Sequence, residues 1–117
     1  MLKQSLENES IQVRWLASFQ EALPLLRSSN PPHLVFTEAA LPDGTWADVV
    51  EQARLACKPS KVIVVSPVVD ARLYLEAMGG GAFDFIVPPL TAAELAQLVK
   101  SAVTIVQKLR QSQLVRV

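Results

Sequence analysis

Several side chains from which proteins build chemical sites are scarce in this sequence. Cys57 is the only cysteine and His33 the only histidine, so an intrachain disulfide is excluded and the usual zinc sites lack ligands. The 11 basic and 11 acidic side chains cancel, which gives no argument for a nucleic-acid, membrane-surface or polyanionic partner. No apolar run has the length of a signal-peptide core at the start, or the roughly 18 residues of a membrane span. We expect a soluble, cytoplasmic protein with no nucleic-acid or membrane partner.

The apolar residues that are present predict buried strands. With 117 residues, of which 50% are hydrophobic and 19% charged, the chain predicts one domain whose strands are buried on both faces. Residues 1–9 are typical of the end of a helix, and the alternating residues 11–16 predict a strand near a sheet edge. Further strands are predicted at His33–Thr37, Val62–Val65 and Phe83–Val87, and the β-branched run of the second is typical of a central parallel strand.

Helices are predicted between these strands from their N-terminal signals. A Ser or Thr followed three residues later by an acidic residue forms a capping box, which satisfies free N–H groups at a helix start. The three such pairs are Ser18 with Glu21, Thr45 with Asp48, and Thr91 with Glu94. A further helix is predicted over Asp70–Met78, before Gly79–Gly81. The alternation of strands and helices predicts a doubly wound α/β fold with a mainly parallel sheet.

The last predicted helix, Thr91–Arg110, is the longest. Its apolar residues follow a three- and four-residue spacing. They are Leu95, Leu98, Ala102, Ile105 and Leu109, with Val99 and Val106 widening the stripe. We interpret most of this stripe as core and its final turns as a contact for a partner. Residues 1–110 are predicted to form the domain and residues 111–117 a tail, of which Gln113–Val117 have strand character.

Three segments occur here in a combination typical of one protein family. They are HLVFTEAALPDG from His33, KVIVVS from Lys61, and AMGGGAFDFIVPP from Ala77, which a TAAEL helix follows. Together they resemble the receiver domain of bacterial two-component response regulators, over roughly residues 5–108. The resemblance implies a flavodoxin-like doubly wound fold and a role in signal transduction.

The resemblance also implies where the phosphorylation site of the family lies in this chain. In the family, an aspartate four residues before a proline accepts the phosphoryl group, and Glu38 has that position relative to Pro42. A lysine joined by a cis bond to a proline follows the fifth strand of the family. Pro88 replaces that lysine, and Pro89 matches the cis-proline.

Two further residues match the positions that respond to phosphorylation in the family. Ser66 matches a Ser or Thr that binds a phosphoryl oxygen, and Phe85 matches an aromatic residue coupled to it. The side chains favour simpler roles, a hydroxyl bonded to the backbone for Ser66 and core packing for Phe85. For Glu38 two interpretations stay open. It is either a fixed mimic of the phosphorylated state, reaching towards Ser66, or a solvated loop carboxylate.

Two departures from the family pattern argue against phosphoryl transfer. Family members begin with a strand whose acidic residues hold Mg²⁺, whereas this chain begins in what resembles the first helix, so those ligands and the ion are expected to be absent. The lysine is replaced by Pro88. Because this transfer depends on positioned positive charge, we expect a degenerate receiver, or pseudo-receiver, that is not an enzyme and holds no metal or cofactor.

The first strand of the family would lie between the strands matched here by residues 11–16 and 33–37. A gap there would leave buried N–H and C=O groups unpaired, at roughly 1 to 3 kcal/mol each. We hypothesise that Gln113–Val117 fills the position, from the same chain or from a second chain in a homodimer formed through the last helix and tail. The alternatives are direct pairing of the flanking strands and a truncated gene product.

The leading functional interpretation is therefore a signalling or dimerisation module that works without phosphorylation. Its contact face is built from the helix end at Gly79–Gly81, the strand Phe83–Val87 and the last helix. The competing interpretation is a phosphoacceptor receiver of a phosphorelay, using Glu38 or groups lent by a second chain. A flavodoxin-like domain that binds a small molecule is disfavoured because no glycine-rich phosphate loop follows a strand.

Overall fold

A parallel sheet of three strands lies at the centre of the structure, a computed structural model that describes residues 17–115. In chain order the elements are α1 Phe19–Leu26, β1 Leu34–Glu38, β2 Ala40–Leu41, β3 Gly44–Thr45, α2 Trp46–Leu55, β4 Lys61–Val65, α3 Ala71–Gly79, β5 Asp84–Ile86 and α4 Ala92–Val115. The helix predicted in residues 1–9 and the strand predicted in residues 11–16 lie outside the described residues. Strands β2 and β3 form a small antiparallel hairpin.

The central strand is β4, as its unbroken β-branched run predicts. It pairs in parallel with β1 on one side and with β5 on the other. Val62, Ile63 and Val64 are 0 to 2% exposed, so the strand is covered on both faces. A strand buried on both faces needs an apolar residue at every position, which explains the composition of this segment.

Helices cover both faces of the sheet, which confirms the doubly wound α/β fold. On one face α1 and α2 pack against Val62, and α3 packs against Val64 through the fully buried Ala77. On the other face α4 packs against Leu34 and Phe36 of β1. Successive side chains of a strand point to opposite faces of the sheet. Val62 and Val64 therefore face one layer of helices, while Leu34 and Phe36 of β1 face α4 on the other side.

The residues of the predicted capping boxes begin α1, α2 and α4, although at α1 the Glu21 carboxylate accepts from the Ala17 N–H at 3.1 Å instead of the Ser18 N–H. The Glu21 N–H donates to Ser18 Oγ at 3.2 Å, and the Thr45 N–H donates to Asp48 Oδ2 at 2.9 Å. The contact is reciprocal at α4, since the Thr91 N–H donates to Glu94 Oε1 at 2.9 Å and the Glu94 N–H to Thr91 Oγ1 at 3.0 Å. Three local sequence signals therefore determine where three of the described helices start.

The boundaries of all three strands of the described parallel sheet differ slightly from the prediction, and β4 begins one residue earlier, at Lys61. Strand β1 is Leu34–Glu38 instead of His33–Thr37, and β5 is Asp84–Ile86 instead of Phe83–Val87. Phe83 still contributes to the sheet, because its N–H donates to the Val62 carbonyl at 2.7 Å. Differences of one or two residues at strand ends are expected when boundaries are inferred from apolar runs.

The packing face of α4 is rotated from the predicted stripe. Val99 and Val106 are 4% and 0% exposed, whereas Ile105 and Leu109 are 42% and 39% exposed. Both sets of residues have helical spacing, so the pattern alone does not decide which one faces the sheet. The buried Ala102 belongs to both, and its small side chain lets the helix approach with the valines inward.

Residues 111–115 continue α4, so the interpretation of the tail as a strand is wrong for this part of the chain. No Gly or Pro follows Arg110 to stop the helix, and each added residue gains one backbone hydrogen bond. Residues 116 and 117 lie outside the described range. Although α4 has 24 residues, neither it nor any other helix described between residues 17 and 115 has the apolar length that a membrane crossing requires.

Arg110 attaches α4 to the edge of the sheet where the strands begin. Its Nε donates to the Pro59 carbonyl and one Nη to the Pro31 carbonyl, both at 2.9 Å. The other Nη lies 3.5 Å from His33 Nε2. Partial burial, and then the charges of Arg110 and Lys58, lower the pKa of His33 from its ordinary value of 6.5.

The end of α3 packs closely against the first residue of α2. The Gly80 N–H donates to the Glu76 carbonyl at 2.8 Å, and Gly81 has a positive φ of 106° that favours glycine. A Cβ on Gly80 would lie 2.9 Å from Trp46 Cη2. A Cβ on Gly79 would meet no atom within 4 Å.

The two glycines provide a matched pair of substitutions. Gly80→Ala should lower the free energy of unfolding by about 1 to 3 kcal/mol, because the methyl group displaces the Trp46 ring. Gly79→Ala should be neutral or stabilising by up to about 1 kcal/mol, because it adds helix propensity without a clash. Urea unfolding followed by circular dichroism measures both. Equal effects of the two substitutions would contradict the packing described for Trp46.

The lowered pKa of His33 predicts a pH dependence of stability. The unfolded chain takes up a proton as pH falls through 6.5, while folded His33 stays neutral to lower pH. The contribution of His33 to the free energy of unfolding should therefore be constant above pH 6.5 and decrease below it. The difference in melting temperature between the wild type and His33→Asn, measured across this range, isolates the effect from carboxylate titration. A difference that does not vary with pH would contradict this account of the Arg110 contact.

Candidate functional site

The carboxyl ends of the parallel strands place the predicted site residues at one edge of the sheet. Glu38 is the last residue of β1 and pairs in register with Val65 of β4. Glu38, Val65, Pro67, Pro88 and Pro89 line an open cleft of about 500 Å³. The structure thus brings the phosphoacceptor-equivalent and lysine-equivalent positions together.

Glu38 has an exposed side chain at the mouth of this cleft. Within residues 17–115 its carboxylate takes part in no hydrogen bond or ion pair, and its backbone carbonyl accepts from Thr37 Oγ1 at 3.0 Å. This geometry agrees with a solvated loop carboxylate. In the described structure Glu38 makes no hydrogen bond with Ser66, the contact that a fixed mimic of phosphorylation would use.

Ser66 is 2% exposed and is held by backbone groups. Its hydroxyl donates to the Val68 carbonyl at 2.7 Å and lies 3.4 Å from the Val68 N–H. Its own N–H donates to the Ile86 carbonyl of β5 at 2.9 Å. A strand-end hydroxyl bound to the backbone closes the turn that leads to α3.

Phe85 is half-buried under α3. Its ring makes an edge-to-face contact with Tyr74, with centroids 5.7 Å apart and planes at 88°. Phe85 and Trp46 both pack against the cluster formed by Val64, Ala77 and Ala82. The aromatic side chain thus contributes to packing between β5 and α3, as a phenylalanine without a hydrogen-bonding group should.

The two prolines after β5 complete the cleft without adding charge. The peptide bond between Pro88 and Pro89 is cis. Pro88, at the lysine-equivalent position, has a pyrrolidine ring, which cannot donate a hydrogen bond or carry positive charge.

Asp43 is a carboxylate of this region whose role the sequence did not reveal. It accepts hydrogen bonds from the N–H groups of Phe19 at 2.8 Å and Gln20 at 3.0 Å, so it caps α1 from the turn between β2 and β3. These two donors lower the pKa of Asp43. Its place in a Pro-Asp-Gly turn indicated only a turn residue, because the helix that it caps lies 24 residues earlier.

The described carboxylates do not fit a magnesium site. Mg²⁺ takes oxygen ligands in octahedral geometry and is usually bound by carboxylates together with water or phosphate. Among residues 17–115 no group of three or more His, Cys, Asp or Glu side chains lies close enough to hold an ion. Asp43 is engaged by backbone amides, which leaves Glu38 as the carboxylate that lines the cleft.

Comparisons with known proteins agree with this geometry. The model of the family described as response regulator receiver domain matches residues 1–100. Response regulator protein PilR of Pseudomonas aeruginosa is 28% identical over 102 residues, which cover 87% of this chain and 23% of PilR. This chain therefore spans about a quarter of that relative.

Solved structures show the same fold. A response regulator from Thermotoga maritima matches with a TM-score of 0.74 and 27% identity, over 88% of this chain and 85% of that one. NtrX from Brucella abortus matches with a TM-score of 0.82 and 22% identity, over 99% of this chain and 26% of NtrX. The sheet, its order of strands and the surrounding helices are thus those of a receiver fold.

The two carboxylates of this region should respond differently to substitution. Asp43→Asn should lower the melting temperature, because it weakens the cap of α1, whereas Glu38→Gln should leave it unchanged. The contribution of Asp43 should be complete above its ordinary pKa of 3.8 and be lost as pH falls through its lower folded-state pKa. Thermal unfolding of both variants over pH measures this. A Glu38→Gln variant as destabilised as Asp43→Asn would contradict the assignment.

Proposed function

Because this chain belongs to the response regulator receiver domain family, whose members act in two-component signalling, we propose that it signals by protein contact without being phosphorylated. In this proposal it is a degenerate receiver, is not an enzyme and uses no cofactor. This chain covers 23% of PilR, so any activity of a longer protein that contains it is likewise part of the proposal.

The observation that carries the proposal is that the described residues lining the cleft beside Glu38 carry no positive charge. Phosphoryl transfer is catalysed almost entirely by positioned charges that offset the negative charge of the transferring oxygens. Pro88 provides no such charge, and the described residues offer no metal site next to Glu38. Nothing described in the cleft would therefore stabilise the transition state.

The length of Glu38 adds a second obstacle. Its side chain has one methylene more than the aspartate of the family, which displaces the carboxylate by about the length of a bond. A misplacement near 1 Å can slow a reaction by about 10²-fold. The backbone contacts of Ser66 support the simpler view of Glu38 as a solvated carboxylate, since the Ser66 hydroxyl is already bonded to Val68.

The proposed contact face is formed by the helix end at Gly79–Gly81, β5 and α4. Ile105 and Leu109 on α4 are 42% and 39% exposed, which agrees with the prediction of a homodimer through the last helix. That prediction remains a proposal, and its use of the tail as a strand does not hold for residues 113–115. A cytoplasmic location is proposed as well, since the one cysteine, Cys57, is exposed and unpaired.

The second candidate function is a phosphoacceptor receiver of a phosphorelay. It is favoured by one observation, the exposure of Glu38 at the mouth of an open cleft that a phosphodonor could enter. Groups lent by a second chain would have to supply the charge that the described cleft does not contain.

The two functions are separated by incubation with acetyl phosphate and Mg²⁺ followed by intact-mass measurement at neutral pH. We expect no mass increment, because transfer from acetyl phosphate to a carboxylate needs charge stabilisation that the cleft lacks. Glu38→Gln is the matched control, since it removes the carboxylate and keeps the size. An increment of one phosphoryl group on the wild type that is absent from Glu38→Gln would establish the second function.

A further inference from the structure

A second cleft lies between the ends of α1 and α2, at the edge of the sheet where the strands begin. We call it the α1–α2 cleft. It has a volume of about 320 Å³ and is lined by Leu26, Arg27, Gln52, Leu55, Ala56 and Cys57. Arg27 caps the end of α1 and Ala56 the end of α2, so two helix ends form its walls. This volume is at the lower end of the range for small-molecule sites, which limits the cleft to a small ligand.

Hydrogen bonds hold the segments that frame the α1–α2 cleft. The Cys57 thiol donates to the Ser28 carbonyl at 3.3 Å, which joins the segment before β4 to the segment before β1. Ser28 Oγ donates in turn to the Leu25 carbonyl at 2.8 Å, and Ser60 Oγ donates to the Pro32 carbonyl at 2.7 Å. The walls are therefore tied to each other and to the start of the sheet, so the cleft is formed before any ligand enters.

One side of the α1–α2 cleft is apolar. Leu26 is 1% exposed and packs in the core cluster that contains Val49 and Ala53. Leu55, the last residue of α2, is in contrast 59% exposed. A ligand with an apolar body would cover Leu55 and gain the free energy of removing apolar area from water.

The other side of the cleft presents one positive charge. Arg27 Nε donates to Gln52 Oε1 at 3.2 Å, which orients the guanidinium and leaves its Nη groups for a ligand. The ion pairs found among residues 17–115 involve Arg54 and Arg72, and none of the residues that line the cleft is acidic. A guanidinium in this setting matches a carboxylate, which it binds through two parallel hydrogen bonds.

Further cations surround the α1–α2 cleft. Lys58 and Lys61 lie just before and at the start of β4, and Arg110 binds the Pro59 carbonyl at the same edge of the sheet. Asp84 begins β5 on the far side of β4, and its carboxylate accepts from the N–H of the next residue at 2.7 Å. The carbonyl ends of α1 and α2 each contribute about half a negative charge, which the cations outweigh. The local field therefore attracts an anion.

We propose that the α1–α2 cleft binds a small monocarboxylate with an apolar body, such as a medium-chain fatty acid. The carboxylate binds Arg27, and the body lies against Leu55 and Ala56. The charge and the apolar surface lie side by side, so the ligand must contain both groups. One cation lines the cleft, which suits one negative charge. This site goes beyond the proposed function and is independent of it, because it lies at the edge of the sheet opposite Glu38.

Cys57 allows the binding to be measured, because it lines the cleft, is exposed and is the only cysteine of the chain. Its alkylation by iodoacetamide is followed on the full chain by intact-mass measurement at neutral pH. Octanoate should slow the alkylation saturably, because the bound ligand covers the thiol. The half-maximal effect is expected at about 1 mM, the strength typical of a ligand of this size with one charged contact.

Two further probes separate the charge from the apolar body. Acetate has the carboxylate without the body, and octylamine has the body with the opposite charge. Neither should slow the alkylation of Cys57 at the concentrations at which octanoate does.

Arg27→Gln should weaken the protection by octanoate about tenfold, because it removes a charge-assisted contact. Arg54→Gln is the matched control, since Arg54 is paired with Glu51 and lies outside the cleft lining. The rates with and without octanoate are compared within each variant, so that any effect on the reactivity of the thiol itself cancels. Amide NMR shifts of Leu55 and Ala56 during the octanoate titration provide a measurement that does not depend on the thiol.

Three outcomes would overturn the proposal. They are an alkylation rate and amide signals that octanoate leaves unchanged, protection by octylamine equal to that by octanoate, and an equal loss of protection in Arg27→Gln and Arg54→Gln. These measurements use no phosphodonor, so their failure would leave the absence of phosphoryl transfer intact. A phosphorylated wild type would likewise leave the carboxylate site intact.

Discussion

The parallel pairing of β4 with β1 and β5 is the constraint on which the other features of this domain depend. Because the strands are parallel, their carboxyl ends and the loops that follow them meet at one edge of the sheet. Helices cover both faces of the sheet, and β4 is the most buried of the described strands, in register with β1 and β5. Glu38 at the end of β1 and Pro88 after β5 thereby come to line one cleft.

At that edge the described residues keep the strand ends and loops of the receiver fold, and none of those that line the cleft beside Glu38 is cationic. The carboxylate that the fold uses is Asp43, which caps α1, while Glu38 remains exposed to solvent. Ser66 is bonded to the backbone, and a proline replaces the cationic side chain of the family. In the proposed function, such a site offers little to a transferring phosphoryl group. Exposed large apolar side chains are found on α4, on and just before α3, and at Leu55 of α2, which supports the proposal of protein contacts.

Local signals allowed much of the fold to be predicted from the sequence. Capping boxes located three helices, the β-branched run identified the central strand, and the segments around Glu38, Ser66 and Pro88 indicated the family that the receiver-domain match confirms. Most of the features that the sequence did not reveal are interactions between distant parts of the chain. The cap from Asp43 to α1, the rotation of α4 towards Val99 and Val106, and the Arg110 contacts all depend on packing that no local pattern encodes. The helical continuation of residues 111–115 was missed because apolar residues near a chain end fit a helix and a strand equally well.

The central claim is that this receiver fold does not respond to a phosphoryl group or to Mg²⁺. Backbone amide NMR spectra, recorded with and without Mg²⁺ and beryllofluoride, a mimic of the phosphoryl group, test it most directly. The account predicts that the amide signals of Glu38, Ser66 and Phe85 keep their positions as both reagents are added. Saturable shifts of these signals that require both reagents, and that disappear in Glu38→Gln, would contradict it.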